Sequence, residues 1–208
     1  MSLTTFASEA LADFRTVGAV APSSRYLTRA MLEPLPLKTA RVVVEVGPGT
    51  GVITKALLKM IPSDAALLAF EINPRFSSYL GSVVSDSRLI LINASAKRLQ
   101  KRVHDLGYKR VDAVVSSLAL GFMPRWQRDT FLHEVGSLLD ETGVFTQYQY
   151  LHGLQFQNRQ LSRLDLVGLL HRHFSSVTRT VVWRNLPPAF VFVCRQPLRA
   201  ENRPEVCT

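Results

Sequence analysis

The sequence predicts one α/β domain built on a doubly wound, mostly parallel sheet of seven strands, with an antiparallel hairpin at one edge. The β-branched run at 42–46 leads into a glycine-rich turn, as the first strand of such a sheet does. Apolar segments of strand length then alternate with helical segments. The last two apolar runs are joined by a short Asn-Leu-Pro-Pro connection, and a parallel crossover needs a dozen or more residues, so this pair is antiparallel.

The remaining elements follow in order along the chain. Strands are expected over 42–46, 65–70, 88–92, 111–116, 143–150, 177–184 and 189–195. Helices are expected over 52–60, 74–84, 96–106, 125–139 and 161–173. This alternation of strand and helix predicts βαβ units with helices on both faces of the sheet.

A helical leader precedes the sheet. Apolar residues recur at helical spacing in its first part: Phe6, Ala10, Leu11 and Phe14. A second short helix follows through Tyr26 and Met31, with Ser23 or Ser24 as its cap. The leader is expected to cover a ligand, to dock on a membrane, or to pack on the domain edge.

Three segments are therefore predicted: the leader at 1–36, the main domain at 37–196 and a loose polar tail at 197–208. A chain of 208 residues that is 47% hydrophobic is long enough for one substantial core.

Neither a bilayer-spanning run of roughly 20 apolar residues nor a signal peptide is recognisable. Cys194 and Cys207 show no spacing typical of a disulfide framework or a metal site, so a reducing cytoplasm is expected.

The chain is strongly basic. Its formal net charge is +9 and its isoelectric point is near 10.1. Such a balance favours a polyanionic partner, which is RNA, DNA or an acidic membrane surface. The alternative is a basic surface that serves only solubility.

The turn after the first strand is the main candidate for a binding site. Gly47, Gly49 and Gly51 have the spacing G-x-G-x-G, whereas dinucleotide-binding folds place a pyrophosphate at G-x-G-x-x-G. This indicates a ligand without a phosphate, such as S-adenosylmethionine. Glu45 can meet the ammonium of that ligand, and Glu71, near the expected separation of about 20 residues, can bind its ribose hydroxyls. A purely structural turn beside a surface glutamate is the alternative.

Several separate segments resemble one enzyme family. They are VGAVAPSSRYL, EVGPGTGVIT, FEINPRF, VVSSLALGFMP, TQYQY and WRNLPPAFVFV. Together with the order of elements, these segments resemble the class I methyltransferases, which have a Rossmann-like fold and use S-adenosylmethionine. Within that class, the chain is similar to bacterial phospholipid N-methyltransferases.

The resemblance implies S-adenosylmethionine as cofactor, with S-adenosylhomocysteine as product, and no metal. The cofactor would contact these residues: Glu45, Gly47, Gly49, Gly51, Glu71, Ile72, Asn93, Ala94 and Ser116. Asn93, which ends the third strand, can hydrogen-bond the adenine edge or serve only as a turn residue. The family usually has an acidic residue there.

The resemblance also implies the substrate, which is the amine head group of a membrane phospholipid such as phosphatidylethanolamine. Ser116 and Leu118 in the loop after strand four, with Tyr148 and Tyr150 on strand five, are the candidate catalytic residues. The two tyrosines are expected on one face of the strand. They can orient the amine or can be core aromatics. His152 could assist proton loss but is more typical of a surface loop.

Two other functions remain possible from the sequence. Ribosomal RNA adenine dimethyltransferases share the glycine loop, but they have a motif resembling Asn-Leu-Pro-Tyr where this chain has Ser-Ser-Leu-Ala. A cofactor-binding protein with weakened catalysis is the other, because Ser117 and Ala119 depart from the lipid family's usual Gly and Pro. The lipid hypothesis predicts peripheral binding at the inner face of the membrane, through anionic lipid and through the segment 1–14.

Overall fold

The computed structural model describes residues 23–151, 154–157, 160–163 and 165–198. The strands are β1 Val42–Val46, β2 Ala66–Phe70, β3 Leu89–Ile92, β4 Val111–Ser116, β5 Leu139–Tyr150, β6 Leu154–Gln157, β7 Gln160–Arg163, β8 Phe174–Val182 and β9 Ala189–Pro197. The α-helices are α1 Arg25–Leu32, α2 Val52–Leu58, α3 Pro74–Val83, α4 Leu99–Asp105, α5 Arg125–Leu138 and α6 Leu166–His171. Two single 3-10 turns lie at Ala96–Arg98 and Leu120–Phe122.

Seven strands form one sheet in the order β3-β2-β1-β4-β5-β9-β8. Strands β1 to β5 pair in parallel, and β9 is antiparallel to both β5 and β8. The predicted sheet with its antiparallel edge hairpin is therefore confirmed. Since only β9 is reversed, the other six strands end at one edge, which we call the carboxyl edge. Ligands of open α/β sheets bind at this edge.

The core has two layers, one on each face of the sheet. Val44, Phe131 and Phe145 belong to the layer beneath α5. The opposite layer contains residues of β1, α1 and α2. Because helices cover both faces, all five residues of β1 are buried, as expected for a central parallel strand.

Helix α1, the second part of the predicted leader, is part of this core. The Ser24 side chain accepts a hydrogen bond from the Leu27 amide, so the predicted cap is confirmed. Leu27 and Met31 are fully buried against the sheet. The apolar stripe at 6–14, His152 and the segment 199–208 lie outside the described residues.

The predicted helix over 161–173 is wrong in its first part. Residues 160–163 are β7, which pairs with β6 in a separate two-stranded ribbon. Asp165 then caps α6 by accepting a hydrogen bond from the Gly168 amide at 2.9 Å, so the helix begins only after this residue. Strands β5 and β8 also begin earlier than predicted, at Leu139 and Phe174.

Across the described ranges, no helix combines the length and the apolar character needed to cross a bilayer.

Candidate active site

The glycine turn joins β1 to α2 at the carboxyl edge. Gly47, Gly49 and Gly51 all have positive φ, at 77°, 54° and 80°. A Cβ on Gly51 would collide with the Leu80 side chain of α3, and one on Gly47 would touch Leu118 in the loop after β4. Left-handed backbone therefore favours glycine at all three positions, and close packing against Leu80 additionally excludes a side chain at Gly51.

Glu45 lies fully buried beneath this turn. Its Oε2 accepts a hydrogen bond from the Thr54 hydroxyl of α2 at 2.7 Å. Its Oε1 is buried without a hydrogen-bond partner. Burial, with a smaller contribution from the charge of Glu71, raises the pKa of Glu45 to about 8. An unpartnered buried carboxyl oxygen is costly unless a ligand supplies a donor, and an ammonium group would do so.

Glu71 follows β2 and ties two backbone segments together. Its Oε2 accepts from the Gly49 amide at 3.2 Å and its Oε1 from the Asn73 amide at 2.9 Å. Burial raises the pKa of Glu71, and these backbone hydrogen bonds oppose the shift. A carboxylate has about four lone-pair sites, so both oxygens can still accept from ribose hydroxyls.

Asn93 braces the same region from the end of β3. Its side-chain amide donates to the carbonyls of Glu71 and Ile72, at 2.8 and 3.4 Å. Its Oδ1 accepts no hydrogen bond from any described residue and can take one from an adenine amine. Ile72 is exposed beside it, and the Ala94 amide donates to the Ile92 carbonyl. The structure thus gathers the predicted cofactor-binding residues Ile72, Asn93 and Ala94 at the ends of β2 and β3.

The loop after β4 is held by two polar side chains. The Ser116 hydroxyl, which is buried, accepts from the Leu118 amide at 3.2 Å. The Gln147 amide of β5 donates to the carbonyls of Leu118 and Tyr148, at 2.9 and 2.6 Å. Gln147, which was not among the predicted site residues, therefore fixes the loop that contains the candidate catalytic residues Ser116 and Leu118.

Tyr148 and Tyr150 contact each other, as their shared face predicts. Their rings meet edge to face, with centroids 5.4 Å apart. Burial is the main cause that raises the pKa of both hydroxyls, and the hydrogen bond between them raises that of Tyr148 further. Tyr148 therefore stays a neutral phenol over the whole physiological range.

Thr54 and Thr146 were also missed. Thr146 lies level with Glu45 through the register of β1, β4 and β5, and its buried hydroxyl has no hydrogen-bond partner. For Thr146 the available signal was a polar residue directly after the apolar pair Val144 and Phe145 of a predicted strand, whereas Thr54, on α2, gave no such signal.

The residues present fit S-adenosylmethionine. Glu45 offers an unpartnered carboxyl oxygen to an ammonium, and Glu71, which holds the glycine turn through Gly49, offers lone pairs to hydroxyls. No group of three His, Cys, Asp or Glu side chains in the part of the chain that the structure describes is placed to hold a metal ion.

Comparison with known proteins identifies the class. No family model matches the chain. It is 30% identical over 181 residues to an ornithine lipid N-methyltransferase from Singulisphaera acidiphila, covering 86% of this chain and 88% of the relative. The fold matches 1,6-didemethyltoxoflavin-N1-methyltransferase of Burkholderia thailandensis, solved with S-adenosylhomocysteine, at a TM-score of 0.65 and 19% identity, covering 93% of this chain and 86% of that one. It also matches precorrin-6y C5,15-methyltransferase of Geobacter metallireducens at a TM-score of 0.62 and 16% identity. That match covers 83% of this chain and 89% of the other.

The sheet, the glycine turn and the two glutamates define a class I methyltransferase that uses S-adenosylmethionine. The chain belongs to the same family as the ornithine lipid N-methyltransferase it matches. The predicted class, enzymatic activity and cofactor are confirmed.

Proposed function

We propose that this enzyme methylates the amine of a membrane lipid head group, such as that of phosphatidylethanolamine. The observation that carries the proposal is its similarity to a lipid amine methyltransferase over most of both chains. Residues at the carboxyl edge support it, because the loop after β4 has Ser-Ser-Leu-Ala rather than a motif that grips a planar nucleobase amine.

Methylation requires a neutral amine in line with the methyl group. S-adenosylmethionine, when bound, supplies a methyl group on an electrophilic sulfonium. A protonated lipid amine has no lone pair, so its proton leaves to solvent before attack. Glu45, Glu71 and the glycine turn would hold this cofactor so that its methyl group would be available to the neutral amine nitrogen. Alignment of the two reacting atoms is the largest contribution the protein makes.

The chain's own residues supply that alignment. Tyr148 is a neutral phenol next to Tyr150, and a phenol oxygen can accept a hydrogen bond from an amine N–H. The Leu118 carbonyl accepts from Gln147, which lies on the opposite face of β5 from Tyr148, and it keeps a second lone pair for an amine at the carboxyl edge. Both groups accept hydrogen bonds and both are neutral, so they orient the substrate without trapping it as an ammonium ion.

The test is methyl transfer from labelled cofactor to defined acceptors. We expect label in phosphatidylethanolamine or another amine lipid, and a Tyr148→Phe variant that keeps cofactor affinity but loses about tenfold or more in kcat. Ser82→Ala, a hydroxyl loss on the exposed side of α3, is the control. Label in RNA alone would instead indicate an adenine methyltransferase. Cofactor binding without label in any lipid or nucleic acid would indicate a binding protein.

A further inference from the structure

The most exposed large apolar side chains of the described residues lie at one edge of the molecule. They are Ile72, Phe122, Trp126, Trp183 and Leu186. Each follows the carboxyl end of a parallel strand: β2 for the first, β4 for the next two and β8 for the last two. Ile72 is one of the predicted cofactor-binding residues. The other four form two clusters without a role in cofactor binding.

The first cluster is the β8–β9 tip, residues 183–188. Trp183 is 70% exposed and Leu186 is 80% exposed. Between them Asn185 is buried, accepts from the Ser24 amide at 3.0 Å and donates to the Pro187 carbonyl at 2.7 Å. The tip is therefore anchored to the start of α1 while its two apolar side chains point away from the core. Ala189, the first residue after the tip, pairs with Tyr150 of β5. The tip therefore adjoins the proposed amine site.

Two cations accompany this tip. The guanidinium groups of Arg25 and Arg184 lie over the ring of Tyr26, at 4.8 and 5.2 Å from its centroid. Both also donate to the Tyr26 hydroxyl, at 2.7 and 3.3 Å. Neither arginine has a carboxylate partner among the residues that are described. Two like charges on one ring repel each other, so an anion beside them would be stabilising.

The second cluster is the α5 corner, formed by Lys97, Phe122 and Trp126. Phe122 is 67% exposed and Trp126 is 59% exposed. The ammonium of Lys97 lies 4.8 Å from the centre of the Trp126 ring. Helix α5 packs on the opposite sheet face from α1. The two clusters therefore lie on different faces of the sheet at the same edge, and both combine an exposed aromatic with a cation.

We propose that an anionic lipid bilayer docks on the carboxyl edge through the β8–β9 tip and the α5 corner, an inference that rests on the proposed lipid substrate. Tryptophan partitions to the membrane interface and Lys and Arg bind anionic head groups. The net charge of +9 favours the same partner. Docking by this edge places the proposed amine site against the head groups, so a lipid need not leave the bilayer to react.

The two clusters contain both tryptophans of the chain, which makes docking directly visible. Trp126→Phe leaves Trp183 as the single reporter, and Trp183→Phe leaves Trp126. We expect a blue shift of both reporters, and quenching by brominated lipid, on vesicles of phosphatidylcholine mixed with phosphatidylglycerol but not on phosphatidylcholine alone. Vesicle binding without a shift of either reporter would show that another surface docks and would overturn the proposal.

A matched pair of double variants measures the contribution of the tip. Trp183→Ser/Leu186→Ser should weaken partitioning to the anionic vesicles by about tenfold or more. The control, Met60→Ser/Leu106→Ser, removes two half-exposed apolar residues at the ends of α2 and α4 nearest the opposite edge, and should bind like the parent. Equal weakening by both pairs would overturn the proposal.

Methyl transfer to detergent-dispersed lipid separates this inference from the proposed function. We expect the Trp183→Ser/Leu186→Ser enzyme to keep its rate in detergent and to lose it on vesicles. Full activity of that variant on vesicles would overturn the docking surface and leave the lipid substrate intact. A parent enzyme inactive on lipid in both forms would overturn the proposed function. A shift of the reporters with RNA but not with vesicles would assign the edge to nucleic acid.

Discussion

Glu71 combines two tasks at the scale of one residue. It holds the glycine turn through Gly49 and the loop after β2 through Asn73, and we propose that its remaining lone pairs bind the cofactor. Its position at the end of β2 could be read from the sequence. Its role in bracing the turn could not, because a hydrogen bond between residues 22 apart depends on the packing of β2 beside β1.

A Glu71→Gln variant tests the proposed contact between Glu71 and the cofactor. We expect S-adenosylhomocysteine to bind about ten- to a hundredfold more weakly, because neutral amide bonds replace charge-assisted ones. Calorimetry measures the affinity. The control is Glu33→Gln on α1, which removes an exposed acid paired with Arg29 at 3.3 Å. Parent-like affinity in Glu71→Gln would contradict the assigned ribose contact.

Glu45 makes the stability of the free enzyme depend on pH. Its pKa is about 8 in the folded protein and near 4.5 when unfolded, so the folded state binds the extra proton between these values. The proton on Glu45 therefore stabilises the folded state fully below about pH 4.5. This stabilisation is lost as the pH rises to about 8, so the free energy of unfolding falls over that range. Burial of Glu71 acts in the same direction.

The Glu45→Gln variant isolates this contribution. The amide oxygen can still accept from Thr54, while the titrating proton is gone. We expect urea unfolding of the cofactor-free variant to show a smaller loss of stability between pH 5 and pH 8 than the parent. Identical slopes in the two proteins would mean that Glu45 does not titrate in this window.

At the scale of elements, the glycine turn was predictable and the packing around it was not. Three glycines in five residues indicate a sharp turn after a strand. That Gly51 faces Leu80 of α3 depends on how two helices distant in sequence meet. Similarly, the strand segment TQYQY predicted two tyrosines on one face, while the opposite face placed Gln147 against the loop after β4.

Gly51→Ala and Gly107→Ala separate packing from backbone strain. Both glycines have positive φ, at 80° and 88°, but a Cβ at Gly107 would meet nothing within 4 Å. We expect Gly107→Ala to reduce the free energy of unfolding by about 1–2 kcal/mol and to leave cofactor affinity unchanged. Gly51→Ala should be less stable than this and should bind S-adenosylhomocysteine more weakly. Equal effects in urea unfolding and calorimetry would contradict the role of the Leu80 contact.

The mistaken helix over 161–173 has a local cause. Apolar residues there fit a helical period, but residues 161–163 belong to β7 and pair with β6, and Asp165 starts the helix by capping it. Short apolar runs do not distinguish helix from strand by periodicity alone. Strand pairing, which is a tertiary interaction, decided the outcome.

At the scale of the whole molecule, the basic charge predicts salt-sensitive membrane binding. Exposed charges are screened beyond about 8 Å at physiological ionic strength, whereas buried groups are screened much less. We therefore expect binding to anionic vesicles to fall steeply as salt is added, while the affinity for S-adenosylhomocysteine, held by the buried Glu45 and Glu71, changes little. Sedimentation with vesicles and calorimetry over one salt series measure both. Binding to vesicles that is indifferent to salt would contradict an electrostatic partner.

The sequence by itself determined the sheet, its reversed hairpin, the glycine turn and the two glutamates, because each rests on a local pattern of strand, turn and spacing. Only the tertiary structure decided that Gln147 fixes the loop after β4, that Leu27 and Met31 of α1 complete the core, and that both tryptophans reach the carboxyl edge. These features join segments far apart in the chain. A local sequence pattern predicts whether a segment forms a helix, a strand or a turn. It does not say which distant segments pack against each other, because those contacts form only when the whole chain folds.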